Sequence, residues 1–142
     1  YLIVDGVSDP GNLGTIFRSA AAFKIKGIIL SEDTVDVYND KVIRASQGAI
    51  FKVSFKTDCL DRACHDLKKQ DISLIASTLS DAIDLNDCPR MERFALIIGN
   101  EAKGISESLQ NISDVKIRID MEEAVESLNV AIAASIILYV LK

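Results

Sequence analysis

Along the whole chain, short apolar runs alternate with stretches whose apolar positions recur at helical spacing. Tyr1-Leu-Ile-Val4 predicts a strand, stopped by Asp5-Gly6 and the turn-rich Ser8-Asp-Pro-Gly11. Leu13, Ile16, Phe17, Ala20 and Phe23 then mark one face of a helix, with Asn12 placed to cap it and Gly27 to end it. Ile28-Ile-Leu30 predicts a second strand. Asn39 or Asp40 caps a short helix over Lys41–Ser46, and Ile50–Phe55 alternates in the manner of a third strand. Asp58–Lys69 reads as a helix, Ile72–Ala76 as a strand, and Thr78–Arg93 as a polar connection. Phe94-Ala-Leu-Ile-Ile98 is apolar without interruption, as strands covered on both faces are, and it runs directly into Gly99-Asn-Glu-Ala-Lys-Gly104. Val115–Ile119 is the last strand and Glu126–Leu141 the last helix, apolar nearly all round. Strands alternating with helices define an α/β class, a mainly parallel sheet with helices on both faces, in a single domain over residues 1–142.

Composition narrows the partners. Hydrophobic residues make up 49% and charged residues 26% of the chain, which is globular and too apolar for disorder. A formal net charge of −5 runs against the basic balance usual in nucleic-acid binders. Residues 18 to 56 differ: Arg18, Lys24, Lys26, Lys41, Arg44, Lys52 and Lys56 stand against Glu32, Asp33, Asp36 and Asp40. Three sparse cysteines fit a reducing compartment, so a cytoplasmic location is expected. The longest apolar run, Leu128–Leu141, falls short of the roughly 20 residues a bilayer needs, so no membrane partner is expected. No leader pattern opens the chain, and Tyr1 in place of Met suggests a piece of something longer.

Open α/β sheets bind ligands beyond the carboxyl ends of their strands. Three segments there carry candidate chemistry. In Asp9–Arg18, Arg18 could hold a phosphate or polarise a hydroxyl, although Asn12 could equally be a helix cap and Arg18 a solvated charge. In Ile98–Gly104, Gly99 would let backbone approach a ligand and Gly104 would relieve a turn, with Glu101 and Lys103 beside them. This is no phosphate loop, because neither G-x-x-x-x-G-K-[ST] nor G-x-G-x-x-G follows any strand. In Ile117–Val130, Ser127 and Asn129 stand at the mouth of the most apolar helix, where capping is the competing explanation.

Together these segments resemble the three motifs of the SpoU (TrmH-like) family of the SPOUT superfamily. Asn12-Leu-Gly-Thr-Ile-Phe-Arg18 resembles the first, Gly99–Gly104 the second, and Ser127-Leu-Asn-Val130 with its alanine-rich helix the third. Val37–Phe51 is similar to the segment joining the first two motifs in the ribosomal-RNA branch. The resemblance implies a homodimeric RNA ribose 2′-O-methyltransferase that uses S-adenosylmethionine and acts on ribosomal rather than transfer RNA. It implies an α/β knot, with the last helix threaded through a loop as a C-terminal trefoil, and an RNA-binding domain preceding this chain.

Residue by residue, Arg18 would activate the ribose 2′-hydroxyl, and Asn12, Glu101, Ser127 and Asn129 would shape the active site. Gly99, Ile119 and Leu128, with Asn100 and Met121 beside them, would hold the donor. A cation stabilising the developing alkoxide, with the methyl group held in line, suffices for the chemistry. No metal is implied, because the sulfonium is already an activated electrophile. Asp120 and Glu122-Glu123-Ala124 depart from the family, which has proline and a glycine-containing turn there.

Cys59, Cys64 and His65 share one predicted helix, but their spacing does not suit zinc, so two buried thiols and a surface histidine are expected. Tyr38 and Phe51 are either packing aromatics or rings that stack on bases. A non-catalytic knotted RNA-binding or ribosome-assembly module is the alternative function. The joint presence of Asn12, Arg18, Glu101, Ser127 and Asn129 favours the enzyme.

Overall fold

The computed structural model describes residues 1–122 and 124–142; of the divergent turn, Glu123 lies outside the described residues. The apolar runs become the strands β1 (Leu2–Asp5), β2 (Ile28–Leu30), β4 (Ser73–Ser77), β6 (Phe94–Gly99) and β7 (Val115–Arg118). With β3 (Phe55–Thr57) and β5 (Ile83–Asp84) they form a seven-stranded sheet of order β3-β2-β1-β6-β4-β7-β5, and every pairing among the described residues is parallel.

Strand alternation sends Leu2, Val4, Leu96, Ile98 and Ile75 to one face of the sheet and Ile3, Ala95, Ile97, Leu74 and Ala76 to the other. On the first face lie α1 (Pro10–Ala22), α2 (Asp40–Ser46) and α5 (Val130–Leu141), and on the second α3 (Leu60–Lys68) and α4 (Glu107–Ile112). The two-sided burial explains why β6 reads as an unbroken apolar run. Gly14 is where α1 meets α2 at backbone distance: a Cβ there would lie 2.5 Å from the Ala45 Cβ and 2.7 Å from the Val42 carbonyl oxygen.

Several local expectations are corrected. Asp9, not Asn12, caps α1: its carboxylate accepts from the Asn12 N–H at 2.8 Å, and Pro10 takes the first helical position, where a missing N–H costs nothing. Ile50–Phe55 is not one strand, because Gln47 and Gly48 both sit at positive φ and turn the chain into a 3-10 turn over Ala49–Phe51 before β3 begins. The alternation of Phe51, Val53 and Phe55 with Lys52 and Ser54 marks no single face, since Phe51 is exposed, Val53 buried and Phe55 half-buried. The last helix starts at Val130, four residues later than expected, with Asn129 as its cap. The polar connection hides β5 and a 3-10 turn over Leu85–Asp87, and α4 escaped notice because Leu109 is its one buried residue. Cys59 precedes α3 and is exposed, contrary to the two-buried-thiols expectation, whereas burial pushes the Cys64 thiol up to about 12. No helix among the described residues is long and apolar enough to cross a membrane, and no cluster of three His, Cys, Asp or Glu is placed to hold a metal ion.

The chain runs outward from β1 through β2 to β3 and then returns to place β6 on the other side of β1. The exit loops of β1 and β6 are hydrogen-bonded to each other, Asn100 donating to the Gly6 carbonyl at 2.7 Å, and the crevice in which open α/β sheets take their ligands opens beside them towards the exits of β4 and β7.

Candidate active site

The loops leaving β1, β4, β6 and β7 border a cleft of about 960 Å³ at this crevice. Asn12, Gly99, Asn100, Glu101, Ile119, Met121, Ser127, Leu128 and Asn129 all line it; Arg18 does not. A second hollow of about 890 Å³, around Tyr1, Phe23, Met91 and Lys142, holds none of the motif residues.

Glu101 ties the loops together. Its carboxylate accepts from the Ser8 N–H (3.2 Å), the Ser8 hydroxyl (3.1 Å), the Asp9 N–H (3.1 Å) and the Asn12 side-chain amide (3.1 Å). Asn12, released from capping, accepts through Oδ1 from the Asn129 Nδ2 at 2.8 Å. Asn129 in turn caps α5, its Oδ1 accepting from the Ala131 and Ile132 N–H groups at 2.9 and 3.2 Å. One chain of hydrogen bonds thus joins the three motifs. For Asn129, capping and site formation are the same act.

Partial burial works against ionising Glu101, but donors from its own backbone, Asn12, Asp9 and Ser8 outweigh it and hold the carboxyl at about 2, below its usual 4.5. A depressed carboxyl pKa contributes stability that is complete above the unfolded value and is lost as pH falls through the folded one. The wild-type chain should therefore lose part of its resistance to urea between about pH 4.5 and 2, and Glu101→Gln should flatten that part of the curve. Denaturation midpoints across this range check it; identical pH slopes would detach Glu101 from the loops.

The β6 exit is closed on itself. Asn100 and Gly104 exchange backbone hydrogen bonds of 3.0 and 2.9 Å, and the Asn100 side chain accepts from the Ala102 and Lys103 N–H groups, both at 2.9 Å, while donating to the Gly6 carbonyl at 2.7 Å. Gly104 takes φ +70°, as a turn residue. Gly99 differs from expectation: the space beside its Cα is filled by the loop's own backbone, with a Cβ falling 2.2 Å from the Gly104 carbonyl carbon. Ser127 is exposed at the cleft rim.

Arg18 is exposed on α1, and no salt bridge or hydrogen bond among the described residues holds its guanidinium. Six residues beyond Asn12, it points about 120° away around the helix. Two contributors escaped the sequence reading. Ser8 and Asp9 supply the donors to Glu101, and Thr78–Ser80 at the β4 exit form one wall of the cleft. A polar stretch directly after a buried strand was the available signal for the second.

A parallel sheet whose strand exits enclose a cleft, pinned by one polar network, defines a ligand-binding α/β domain of the strand-exit type. A model of the SpoU rRNA Methylase family matches residues 1–139, and the chain belongs to that family. It is 35% identical over 141 residues to the 23S rRNA (guanosine(2553)-2′-O)-methyltransferase RlmP of Bacillus subtilis, covering 99% of this chain and 57% of that protein. An rRNA methyltransferase from Sinorhizobium meliloti superposes with a TM-score of 0.93 at 30% identity, over 99% of this chain and 54% of the other. The SpoU methyltransferase AviRb from Streptomyces viridochromogenes, in complex with the cofactor AdoMet, gives 0.91 at 30% identity, over 98% of this chain and 57% of the other. The chain thus spans just over half the length of these relatives.

Proposed function

We propose that this chain is the methyl-transferring domain of an S-adenosylmethionine-dependent enzyme that methylates a ribose 2′-hydroxyl, in ribosomal rather than transfer RNA. The observation that carries this reading is the hydrogen-bonded chain Glu101–Asn12–Asn129, which assembles all three motifs around one cleft. The names of RlmP and AviRb support the same chemistry.

The residues present fit the donor. Half-buried Ile119, Met121 and Leu128 offer apolar sides for an adenine, and the rim carries Thr78 and Ser80 hydroxyls for the polar remainder. The donor supplies a methyl group already activated by its positive sulfur, so the reaction calls for no metal. Asn100 and Glu101 hold the loop geometry against which it docks. Arg18 stabilises the negative charge that develops on the ribose oxygen.

The same reading includes a homodimer. Ile132, Ile136, Tyr139 and Val140 lie on one exposed face of α5, an apolar patch whose Tyr139 ring meets Phe23 and the Lys142 ammonium at its edge. A twofold contact through this patch would bury it, and would offer Arg18, which stands outside its own cleft, to the cleft of the second copy. Ile136→Asp should leave a folded monomer at micromolar concentration, since Ile136 lies outside the core of its own chain. Sedimentation checks this; a wild-type monomer would remove the dimer. A trefoil knot, a preceding RNA-binding domain and a cytoplasmic location complete the proposal. The knot is supported by Ile119, Met121 and residues 126–129, which share the cleft with the β4 and β6 exits, Asn129 leading straight into α5.

The test is transfer of labelled methyl from S-adenosylmethionine to unmodified ribosomal RNA by the full-length protein, with the modified ribose mapped. A protein that binds RNA but not the donor by calorimetry would be a non-catalytic RNA-binding or assembly module instead.

A further inference from the structure

The most exposed aromatic ring of the chain lies outside the cleft. Phe51 is 80% exposed, yet it belongs to a turn that is firmly anchored. Its two predecessors in the 3-10 turn, Ala49 and Ile50, are buried, and Val53 just beyond is buried too. The Phe51 N–H donates to the Gly48 carbonyl at 3.2 Å, and the Lys52 N–H to the Ala49 carbonyl at 2.9 Å. Gln47 and Gly48 both adopt positive φ, and nothing lies within 4 Å of where a Gly48 Cβ would be. The result is a phenyl ring held out into open space on a fixed stalk. Tyr38, also outward-facing, is different: its ring packs on Phe55 at 6.0 Å, so packing explains it.

One cation, the exposed Lys52, follows Phe51 in the chain, and two more stand on the helices that pack against its turn, Arg18 on α1 and Arg44 on α2. The 3-10 turn packs against α1, and Arg18 stands one helical turn beyond Gly14, where the α1 backbone comes close to α2. Arg18 therefore faces the side of α1 on which α2 and the turn sit. Arg44 on α2 is exposed and pairs with the equally exposed Asp40 at 2.8 Å, a surface bond weak enough for a phosphate to displace. An exposed ring costs solvation and gains nothing within the chain. With Lys52 beside it and Arg18 and Arg44 on the helices that hold its turn, it matches a base-stacking platform with phosphate contacts near by.

We infer that Phe51 stacks on an unpaired base of the substrate RNA, next to the nucleotide that Arg18 engages, with Lys52 and Arg44 holding the adjoining phosphates. This rests on the methyltransferase reading and adds to it a residue that selects single-stranded RNA. Because every base presents a π face, Phe51 contributes affinity and placement rather than sequence choice.

The experiment uses the full-length protein and unmodified large-subunit ribosomal RNA transcribed in vitro, comparing Phe51→Ala, Phe51→Leu and Phe51→Trp. Phe51→Ala is expected to weaken RNA binding on the order of tenfold and Phe51→Leu nearly as much, with Phe51→Trp holding wild-type affinity. S-adenosylmethionine affinity and sedimentation should be unchanged in all three. Unaltered RNA affinity in Phe51→Ala while the wild type methylates RNA would overturn this inference alone. Full rescue by leucine, or failure of tryptophan to hold affinity, would overturn stacking. A change of oligomeric state in Phe51→Ala would assign the ring to a contact between copies and overturn it equally. A wild-type protein that neither binds nor methylates RNA would remove the functional reading, and this inference with it.

Discussion

Gly99→Val is expected to weaken S-adenosylmethionine binding more than tenfold, at least about 1.4 kcal/mol, and to destabilise the domain at the same time. The Cβ of any larger residue would fall 2.2 Å from the Gly104 carbonyl carbon and 2.4 Å from the Ile105 nitrogen. Both are backbone atoms in a loop closed by the Asn100–Gly104 pair, so no side chain can swing aside and the loop itself must open. Overpacking of this kind costs typically about 1–3 kcal/mol. Opening it also withdraws the Asn100 side chain from the Gly6 carbonyl and Glu101 from Ser8, Asp9 and Asn12. Two measurements check this, calorimetry with the donor and the urea midpoint of the same protein. Gly104→Ala is the comparison: its Cβ meets open space, and its cost is confined to the positive φ, roughly 1–2 kcal/mol. Equal donor affinity in wild type and Gly99→Val would place the donor away from the β6 exit.

The β6 exit also separates what was legible in the residue string from what was not. Phe94–Ile98 followed at once by Gly99 can be read as a buried parallel strand running into a ligand loop, because two-sided burial erases alternation and glycine permits a tight exit. The reason for the glycine cannot be read. Loop backbone and ligand make the same demand on the sequence, and distances alone separate them. Asn12 shows the same limit from the other side. Asp9 and Asn12 are both sound caps by residue type, and Pro10 at the first helical position decides for Asp9. With that settled, Asn12 has no local partner to satisfy, and its amide is available to Glu101, 89 residues away along the chain. The partners of Glu101 include two backbone N–H groups, at Ser8 and Asp9, and a backbone donor leaves no trace in residue type. Ile50–Phe55 misled because Phe51, Val53 and Phe55 alternate with Lys52 and Ser54 by residue type, while a 3-10 turn over Ala49–Phe51 leaves Phe51 exposed and the strand begins only at Phe55.

Arg18→Ala should lower single-turnover methylation by on the order of 10²–10³ while leaving S-adenosylmethionine affinity close to wild type. The separation follows from where Arg18 stands. It is not among the residues lining the cleft of its own chain, so truncating it removes nothing from the donor's surroundings there. Nor does it support the fold, being exposed on α1 without a salt-bridge partner among the described residues, so stability should move by no more than a few tenths of a kcal/mol. What remains is its charge, and a charge that matters mainly when the ribose oxygen becomes anionic lowers turnover without changing ground-state binding of the other substrate. Arg18→Lys should recover little, because a point charge lacks the planar fork that contacts a phosphate and the hydroxyl together. Mixing provides the sharpest form of the experiment. If Arg18 serves the cleft of a second copy, heterodimers of Arg18→Ala with a donor-binding-deficient Gly99→Val chain should regain one working site, in which the intact arginine and the intact cleft come from different copies. Restored turnover on mixing would show that the site is shared. Wild-type turnover in Arg18→Ala alone would take the arginine out of the reaction altogether.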